Sequence, residues 1–197
     1  MIRFFRNLLV TLWLGFLTAA AIESRRTGDL SHVESAESAP PVKQGEAELF
    51  ERTEQTIWRR ADPVAYTEAE VNRYLAGVIT SKQASISNWA GKFDRVMLQF
   101  EPDFCRVWFV WKDGDRLSTA SLDISIRREK NVFITEIEGG TYGRLPRLPR
   151  GLMVILMPAA KSLCKALDDE IHMLFQMNEI HFVKDKVVLD PRFEIVK

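Results

Sequence analysis

The side chains best suited to bind a metal are the three histidines, His32, His172 and His181. His172 stands four residues after Asp168 and three after Asp169, so one helical turn would bring two carboxylates near the imidazole. A structural zinc site needs four ligands, and a catalytic site needs three and a water molecule. The spacing therefore predicts a solvated charge cluster on the polar face of a helix, and we expect no bound metal.

Sequence patterns for nucleophilic and phosphate chemistry are missing. There is no G-x-S-x-G turn for an activated serine. Cys105 stands between Phe104 and Arg106 in a predicted strand, where an exposed thiolate is poorly placed. Gly139-Gly140 precedes an extended loop, not a phosphate-binding helix start. Neighbouring acids in Asp168-Asp169-Glu170 point in different directions and form no acid/base pair. We expect no catalytic residue, no cofactor and a protein that is not an enzyme.

The two cysteines, Cys105 and Cys164, leave two interpretations open. In an oxidising compartment they could pair, but a sequence does not give the Cα separation that a disulfide requires. One lies in a predicted strand and the other in a predicted helix, both on apolar faces. This placement favours two buried thiols that pack as small hydrophobic groups.

The charges of the chain balance, with 27 basic and 27 acidic residues. Because nucleic-acid-binding proteins usually carry a basic excess, we expect no nucleic-acid partner. One segment is locally basic: from Arg144 to Leu167 there are basic residues but no acid, around the apolar run Leu152–Met157. Such a segment can lie on an anionic membrane, and we predict that Arg144, Arg147 and Arg150 contact lipid head groups. The alternative is that the apolar run belongs to the core and the arginines form a solvated loop.

Large and soft apolar side chains are frequent, with 12 Phe, 5 Trp and 6 Met. Aromatic and thioether walls suit irregular apolar ligands, because methionine adapts its shape. We predict a ligand groove lined by Trp108, Val110, Phe133, Met153 and Met157. An ordinary packed core is the alternative interpretation of the same residues.

The N-terminal segment has the pattern of an export signal. Arg3 and Arg6 precede Leu8–Ile22, which runs fifteen residues without a charge and ends beside the small residues Ala19–Ala21. A membrane span usually needs about twenty apolar residues. A cleaved signal peptide and a retained signal-anchor helix therefore both stay open for residues 1–22. A buried helix is disfavoured because apolar residues surround the segment on all sides.

The domain organisation follows from composition. Residues 23–45 are rich in Ser, Glu, Ala and Pro, which predicts a disordered linker. Residues 46–197 are long enough for a single domain with its own core. Export would place this domain outside the cytoplasm, either anchored to the membrane or, after cleavage, periplasmic or secreted.

Hydrophobic periods predict the elements of the domain. One helix covers residues 46–60, and a second begins at Thr67, where Thr67-Glu68-Ala69-Glu70 has the form of a capping box. From Lys92 to Tyr142 the period is two, which predicts a four-stranded antiparallel meander with a hairpin turn at Asp113-Gly114. The second strand is apolar on both faces, so both faces must be covered.

The C-terminal part is predicted to be helix and then hairpin. A helix begins at Pro158 at the latest, a hairpin covers residues 180–189, and Phe193–Val196 is a possible short strand. The predicted fold is α+β: an N-terminal membrane or signal helix, then a curved antiparallel β-meander packed on helices, with a C-terminal hairpin.

Three passages resemble YpmS-type membrane-anchored extracytoplasmic proteins. They are the opening helix from Thr67 to Leu75, the Gly143-Arg144-Leu145-Pro146 passage, and the closing hairpin from Ile180 to Leu189. The resemblance implies a curved sheet wrapped on a long helix, akin to tubular lipid-binding domains, and a role in binding lipid or another hydrophobic ligand. It implies no catalytic residues.

The function that we expect is therefore a non-catalytic extracytoplasmic binding module for a lipid or other apolar ligand at the cell envelope. Its partners would be the membrane, through the N-terminal segment, and the ligand. An envelope protein-interaction or assembly scaffold without a ligand is the second hypothesis. A hydrolase with an unrecognised site is the third.

Overall fold

Five α-helices and eight strands lie in the described part of the chain. The computed structural model describes residues 2–24, 26–28, 45–60, 62–82, 88, 91–129 and 132–192. The helices are α1 (Ile2–Ser24), α2 (Gly45–Arg59), α3 (Glu68–Lys82), α4 (Met157–Ala166) and α5 (Asp168–Leu174), and a 3₁₀ helix, Arg150–Leu156, precedes α4. The strands are β1 (Val64–Thr67), β2 (Lys92–Glu101), β3 (Phe104–Asp113), β4 (Arg116–Glu129), β5 (Val132–Tyr142), β6 (Leu148–Pro149), β7 (Glu179–Val183) and β8 (Lys186–Asp190).

The strands form two antiparallel sheets. The larger sheet has five strands in the order β2-β3-β4-β5-β6, and the smaller has three in the order β1-β8-β7. The predicted α+β fold with a curved antiparallel meander is confirmed. β1 was not predicted, because its four residues are too short for a visible period. The possible strand Phe193–Val196 lies outside the described residues.

The β3–β4 hairpin turns one residue later than predicted. Asp113 pairs with Arg116, so the loop is Gly114-Asp115. Gly114 has a φ of 59°, a left-handed conformation that glycine adopts at little cost and that two-residue hairpin loops require. The glycine therefore determines which two residues turn the chain.

The predicted capping box opens α3. The Glu70 N–H donates to Thr67 Oγ1 at 3.3 Å, and the Thr67 N–H donates to Glu70 Oε2 at 2.8 Å. These bonds satisfy two backbone donors at the helix start. The hydrogen bond from the Thr67 backbone is the main cause that lowers the pKa of the Glu70 carboxyl, because it stabilises the charged form.

Helix α3 also covers the open edge of the larger sheet. The buried Asn72 side chain donates from Nδ2 to Leu98 O at 2.7 Å and accepts from the Leu98 N–H at 2.6 Å. The buried Glu68 carboxylate accepts the Phe100 N–H at 2.9 Å. The two side chains thus occupy backbone groups of β2 that a further strand would otherwise bind.

One face of the larger sheet meets the helices and the smaller sheet to form the main core. Alternate β3 residues Cys105, Val107, Phe109 and Trp111 point to this face and are buried. Phe109 and Trp111 stack with ring centroids 5.7 Å apart. The core is therefore built on the period-two pattern of the meander.

The opposite face of β3 is buried as well. Met97, Trp108 and Val110 form a second apolar cluster with at most 6% exposure each. The Trp108 indole donates from Nε1 to Gln99 Oε1 at 3.1 Å, which satisfies its buried polar atom. The expectation that both faces of this strand are covered is confirmed.

The first residues of the predicted linker lie against this second face. Thr27 Oγ1 donates to Leu117 O at 3.0 Å, and the Gly28 N–H donates to Thr119 Oγ1 at 2.7 Å. These bonds attach the segment after α1 to β4. Residues 29–44, the larger part of the predicted linker, lie outside the described residues.

Helix α1 coincides with the predicted N-terminal apolar segment. Its large side chains from Leu12 to Ile22 are half-exposed or more, from 50% at Leu17 to 69% at Phe16. Within the described residues, no helix is both long and apolar enough to cross a membrane.

The C-terminal helical region begins earlier than the latest position predicted. The 3₁₀ helix precedes α4, and Pro158 lies in the first turn of α4, where its missing N–H costs little. Leu167, with φ −108° and ψ 30°, separates α4 from α5. The single predicted helix is therefore two short helices separated at Leu167.

Candidate apolar ligand cavity

A cavity of about 260 Å³ lies between the larger sheet and the helices. Its sheet wall consists of inward side chains from β2, β3 and β4, such as Leu98, Val107 and Ile124. These positions are neighbours across the ladder, because Leu98 pairs with Val107 and Val107 with Leu122. The alternation of the meander thus builds one continuous apolar wall.

Helices and the smaller sheet close the other side of the cavity. Val71 and Leu75 come from α3, Leu163 from α4, and Val187 and Leu189 from β8. Since α3 is held to β2 by its side-chain hydrogen bonds, its wall keeps a defined distance from the sheet. The wall atoms of the cavity are almost entirely apolar.

The hydroxyl groups of Thr53, Tyr66 and Tyr74 in the wall are hydrogen-bonded. Thr53 Oγ1 donates to Leu49 O at 2.8 Å, so the Tyr66 hydroxyl, 2.8 Å from the same oxygen, acts as a donor to it. Burial raises the pKa of Tyr66. The Tyr74 hydroxyl donates to Glu170 Oε1 at 3.0 Å. These pairs leave the cavity suited to an apolar group, because little in its wall requires a polar partner.

Both cysteines line this cavity, and neither forms a disulfide. Cys105 is buried in β3, whereas Cys164 in α4 is exposed on its other side. Burial raises the pKa of the Cys105 thiol, and the Glu68 and Asp123 carboxylates raise it further. Burial also raises the pKa of the Cys164 thiol. Both thiols are therefore held in the neutral form, which is a poor nucleophile.

An open acidic groove adjoins the cavity. The groove and the cavity share Tyr74, Glu170 and Met173 in their walls. Four carboxylates line the groove, those of Glu54, Asp168, Asp169 and Glu170, and no lysine or arginine is among its described lining residues. Trp58, which is 80% exposed, stands at its side. An anionic group would be repelled at this end of the cavity.

The five residues predicted to line a ligand groove do not line the cavity. Trp108 and Val110 belong to the cluster on the opposite face of the sheet. Phe133 stacks on Phe175 with centroids 5.7 Å apart. Met153 is buried against the backbone at Gly140, and Met157 is half-buried at the start of α4.

The cavity residues that were missed carried a signal in the sequence. They are the inward members of the alternating strands, and the period-two pattern marks them as one face. What the pattern does not show is that the helices leave a space above that face. The prediction selected residues by side-chain size and therefore named bulkier residues that lie outside the cavity wall.

The three predicted head-group arginines are separated by the fold. Arg147 Nε lies 2.9 Å from Asp123 Oδ2, and the fully buried Asp123 also binds Arg106 with Nε 2.6 Å from Oδ1. Arg144 donates from Nε to the Thr27 carbonyl at 3.0 Å. Arg150 is exposed at the start of the 3₁₀ helix. Of the three, Arg150 is the one whose guanidinium binds no carboxylate or carbonyl among the described residues.

The segment Leu152–Met157 agrees in part with each of the two interpretations of the sequence, a core segment and a surface segment. Met153 and Leu156 are buried in the core, as the core interpretation requires. Leu152, Val154 and Ile155 are 55–67% exposed. The segment is therefore half core and half surface.

The histidine with neighbouring carboxylates lies in solvent. His172 Nδ1 is 3.8 Å from Asp168 Oδ1, and the two side chains are 78% and 73% exposed. In the part of the chain that the structure describes, no three His, Cys, Asp or Glu side chains come together as a metal site. Both side chains of the pair are therefore exposed to solvent.

The sequence was compared with protein-family models and with curated proteins. No protein-family model matches the chain, and no curated protein matches it in sequence. The resemblance to YpmS-type proteins stays a prediction.

Proposed function

We propose that this protein is a non-catalytic binding module for an apolar ligand or the tail of a lipid. The observation that carries the proposal is the apolar cavity of about 260 Å³. A cavity of about 150 Å³ lined by Leu, Ile and Phe is known to stay dry and to bind benzene or xenon. The cavity of this protein is larger and equally apolar, so a larger hydrocarbon group is the occupant that suits it.

The cost of an empty cavity supports the same proposal. Wall atoms that face an empty space lack contact partners on that side and lose the dispersion attraction that close packing would give. Net stabilities of single domains are only about 5–15 kcal/mol. An apolar ligand would restore the missing contacts and offset this cost by mass action.

The acidic groove beside the cavity points to the head group of the ligand. A carboxylate or phosphate attached to the bound tail would face Asp168, Asp169 and Glu170. Because like charges repel, a neutral or cationic head group is favoured at this end. A fatty alcohol or amine is therefore a better ligand than the fatty acid with the same chain.

Export and a location at the cell envelope are part of the proposal. They rest on the basic and apolar pattern of residues 1–22 and on the resemblance to YpmS-type extracytoplasmic proteins. N-terminal sequencing of the protein from fractionated cells tests them. A start near Ile22 in the exported fraction would mean cleavage, an intact Met1 in the membrane fraction would mean an anchor, and a cytosolic chain with intact Met1 would refute export.

Native mass spectrometry of the full-length chain tests ligand binding. We expect a co-purifying apolar molecule, or uptake of an added fluorescent long-chain alcohol. Ala160, half-buried in α4, lines the cavity, so Ala160→Phe should fill part of it and weaken uptake. Ala69, half-buried in α3 outside the cavity wall, gives the control Ala69→Phe.

Two results would refute ligand binding. The first is a clean unliganded mass without uptake of the alcohol. The second is equal uptake by the Ala160→Phe and Ala69→Phe variants. Either would leave the scaffold hypothesis, in which the domain presents surfaces to an envelope protein.

A further inference from the structure

The 3₁₀ helix Arg150–Leu156 presents an unusual surface. A 3₁₀ helix has three residues per turn, so residues three apart lie in one row along it. Arg150, Met153 and Leu156 share one row, in which Met153 and Leu156 are buried in the core and Arg150, at the start of the helix, is exposed. The row of Leu152 and Ile155 is 58% and 55% exposed, and Val154 in the third row is 67% exposed. Two of the three sides of this helix are thus apolar and in solvent.

Basic residues precede and follow this apolar surface in the chain. Arg150 begins the helix and is exposed, and Lys161 and Lys165 are exposed in α4 immediately after it. The chain contains no acidic residue from Arg144 to Leu167. A surface that exposes contiguous apolar side chains with basic neighbours is complementary to an anionic bilayer, whose phosphates attract the cations and whose acyl region accepts the apolar groups.

A second exposed apolar element, α1, is bonded to the loop that precedes the 3₁₀ helix. The Arg144 N–H donates to Glu23 O at 3.1 Å, and its Nε donates to Thr27 O at 3.0 Å. These bonds join the end of α1 to the loop that leads into the 3₁₀ helix. The C-terminal end of α1, whose apolar side chains are exposed, is therefore joined to the domain at the start of the basic segment.

We propose that the 3₁₀ patch, defined as Arg150, Leu152, Val154 and Ile155, docks on an anionic lipid surface. The apolar side chains enter the interface between head groups and acyl chains, and Arg150 binds lipid phosphate. The patch lies outside the wall of the cavity, so this inference goes beyond the proposed function and does not depend on a bound ligand.

An environment-sensitive fluorophore at the patch tests the inference in the full-length chain. Val154→Cys is labelled in a Cys164→Ser background, where the remaining Cys105 is buried and does not react. Val132, 63% exposed at the start of β5, gives the matched control Val132→Cys. We expect a blue shift at position 154 with vesicles of phosphatidylcholine and phosphatidylglycerol, a smaller shift with phosphatidylcholine alone, and none at position 132. Binding through α1 alone would bring both labelled positions to the vesicle, so a shift confined to position 154 reports the patch itself.

A second measurement uses binding strength. Leu152→Ser and Ile155→Ser should each weaken partitioning to the anionic vesicles by roughly tenfold. Each variant removes an apolar side chain that is more than half exposed and can insert into the bilayer interface. Val132→Ser should leave partitioning unchanged. No shift at position 154, or the same shift at position 132, would overturn the proposal. A shift at position 154 that grows with protein concentration without vesicles would also overturn it, because the patch would then be a contact between copies of the chain.

Discussion

Asn72 is predicted to hold helix α3 on the larger sheet, and Asn72→Ala tests this role. The side chain is 2% exposed and makes two hydrogen bonds to the backbone of Leu98. Its removal leaves the N–H and the carbonyl of Leu98 without their partner inside the protein. Each unsatisfied buried polar group costs about 1–3 kcal/mol. The two groups together should therefore lower the free energy of unfolding by about 2–6 kcal/mol.

Urea denaturation followed by circular dichroism measures this loss. A loss of 3 kcal/mol corresponds to roughly 6–12 °C in the melting temperature of a chain of this size. Thr80→Ala is the matched control, because Thr80 is exposed in the same helix and bonds only within it, to Ala76 O. That variant should change the unfolding free energy by no more than about 0.5 kcal/mol.

The same substitution connects stability to ligand binding. Helix α3 carries Val71, Tyr74 and Leu75 of the cavity wall. A helix that is less firmly held should bind an apolar ligand more weakly at temperatures where the domain is still folded. If Asn72→Ala costs less than about 0.5 kcal/mol, the two bonds do not hold the helix, and the reasoning about the covered edge is wrong.

Three further predictions follow from buried or perturbed groups. Asp123→Ala should cost about 3–5 kcal/mol in urea denaturation, because it leaves the Arg106 guanidinium without its buried partner; a loss below 1 kcal/mol would contradict this. The pKa of Glu70 is lowered in the fold, so its contribution is present above the unfolded-state value of 4.5 and disappears as the pH falls through the lower folded-state pKa. The difference in unfolding free energy between the wild type and Glu70→Ala should shrink accordingly on acidification, and a constant difference would refute it. Cys164 should react slowly with a thiol reagent in the folded protein and Cys105 only after unfolding, as mass spectrometry of the adducts would show; equal rates would contradict the burial of Cys105.

The order of elements was readable because local rules decide it. Alternation from Lys92 to Tyr142 defined the meander, and the Thr67 and Glu70 side chains defined the start of α3. Both depend on interactions within a few residues. β1 escaped prediction because its pairing with β8 joins residues more than a hundred positions apart, and four residues carry too little pattern by themselves.

The residues that we predicted to line a ligand groove do not line the cavity that the structure shows. An apolar cavity exists, yet it lies against Val107 and Phe109, not against Trp108 and Val110. Both faces of β3 are apolar, so the sequence carries no sign of which face meets helices with space between them. The packing of the covering helices decides which face carries the cavity. This packing depends on long-range contacts such as the one between Asn72 and Leu98.

The sequence alone determined the class of the fold, the strand pattern, the balanced charge and an acid-free segment with apolar centre. These properties belong to neighbouring residues and need no long-range contact. The tertiary structure decided which apolar residues face the cavity, that Arg147 pairs with Asp123, and that Leu152, Val154 and Ile155 stay in solvent. The physical reason is that burial and ion pairing depend on which distant elements meet, and the same apolar residue can lie in a core, a cavity wall or an exposed patch.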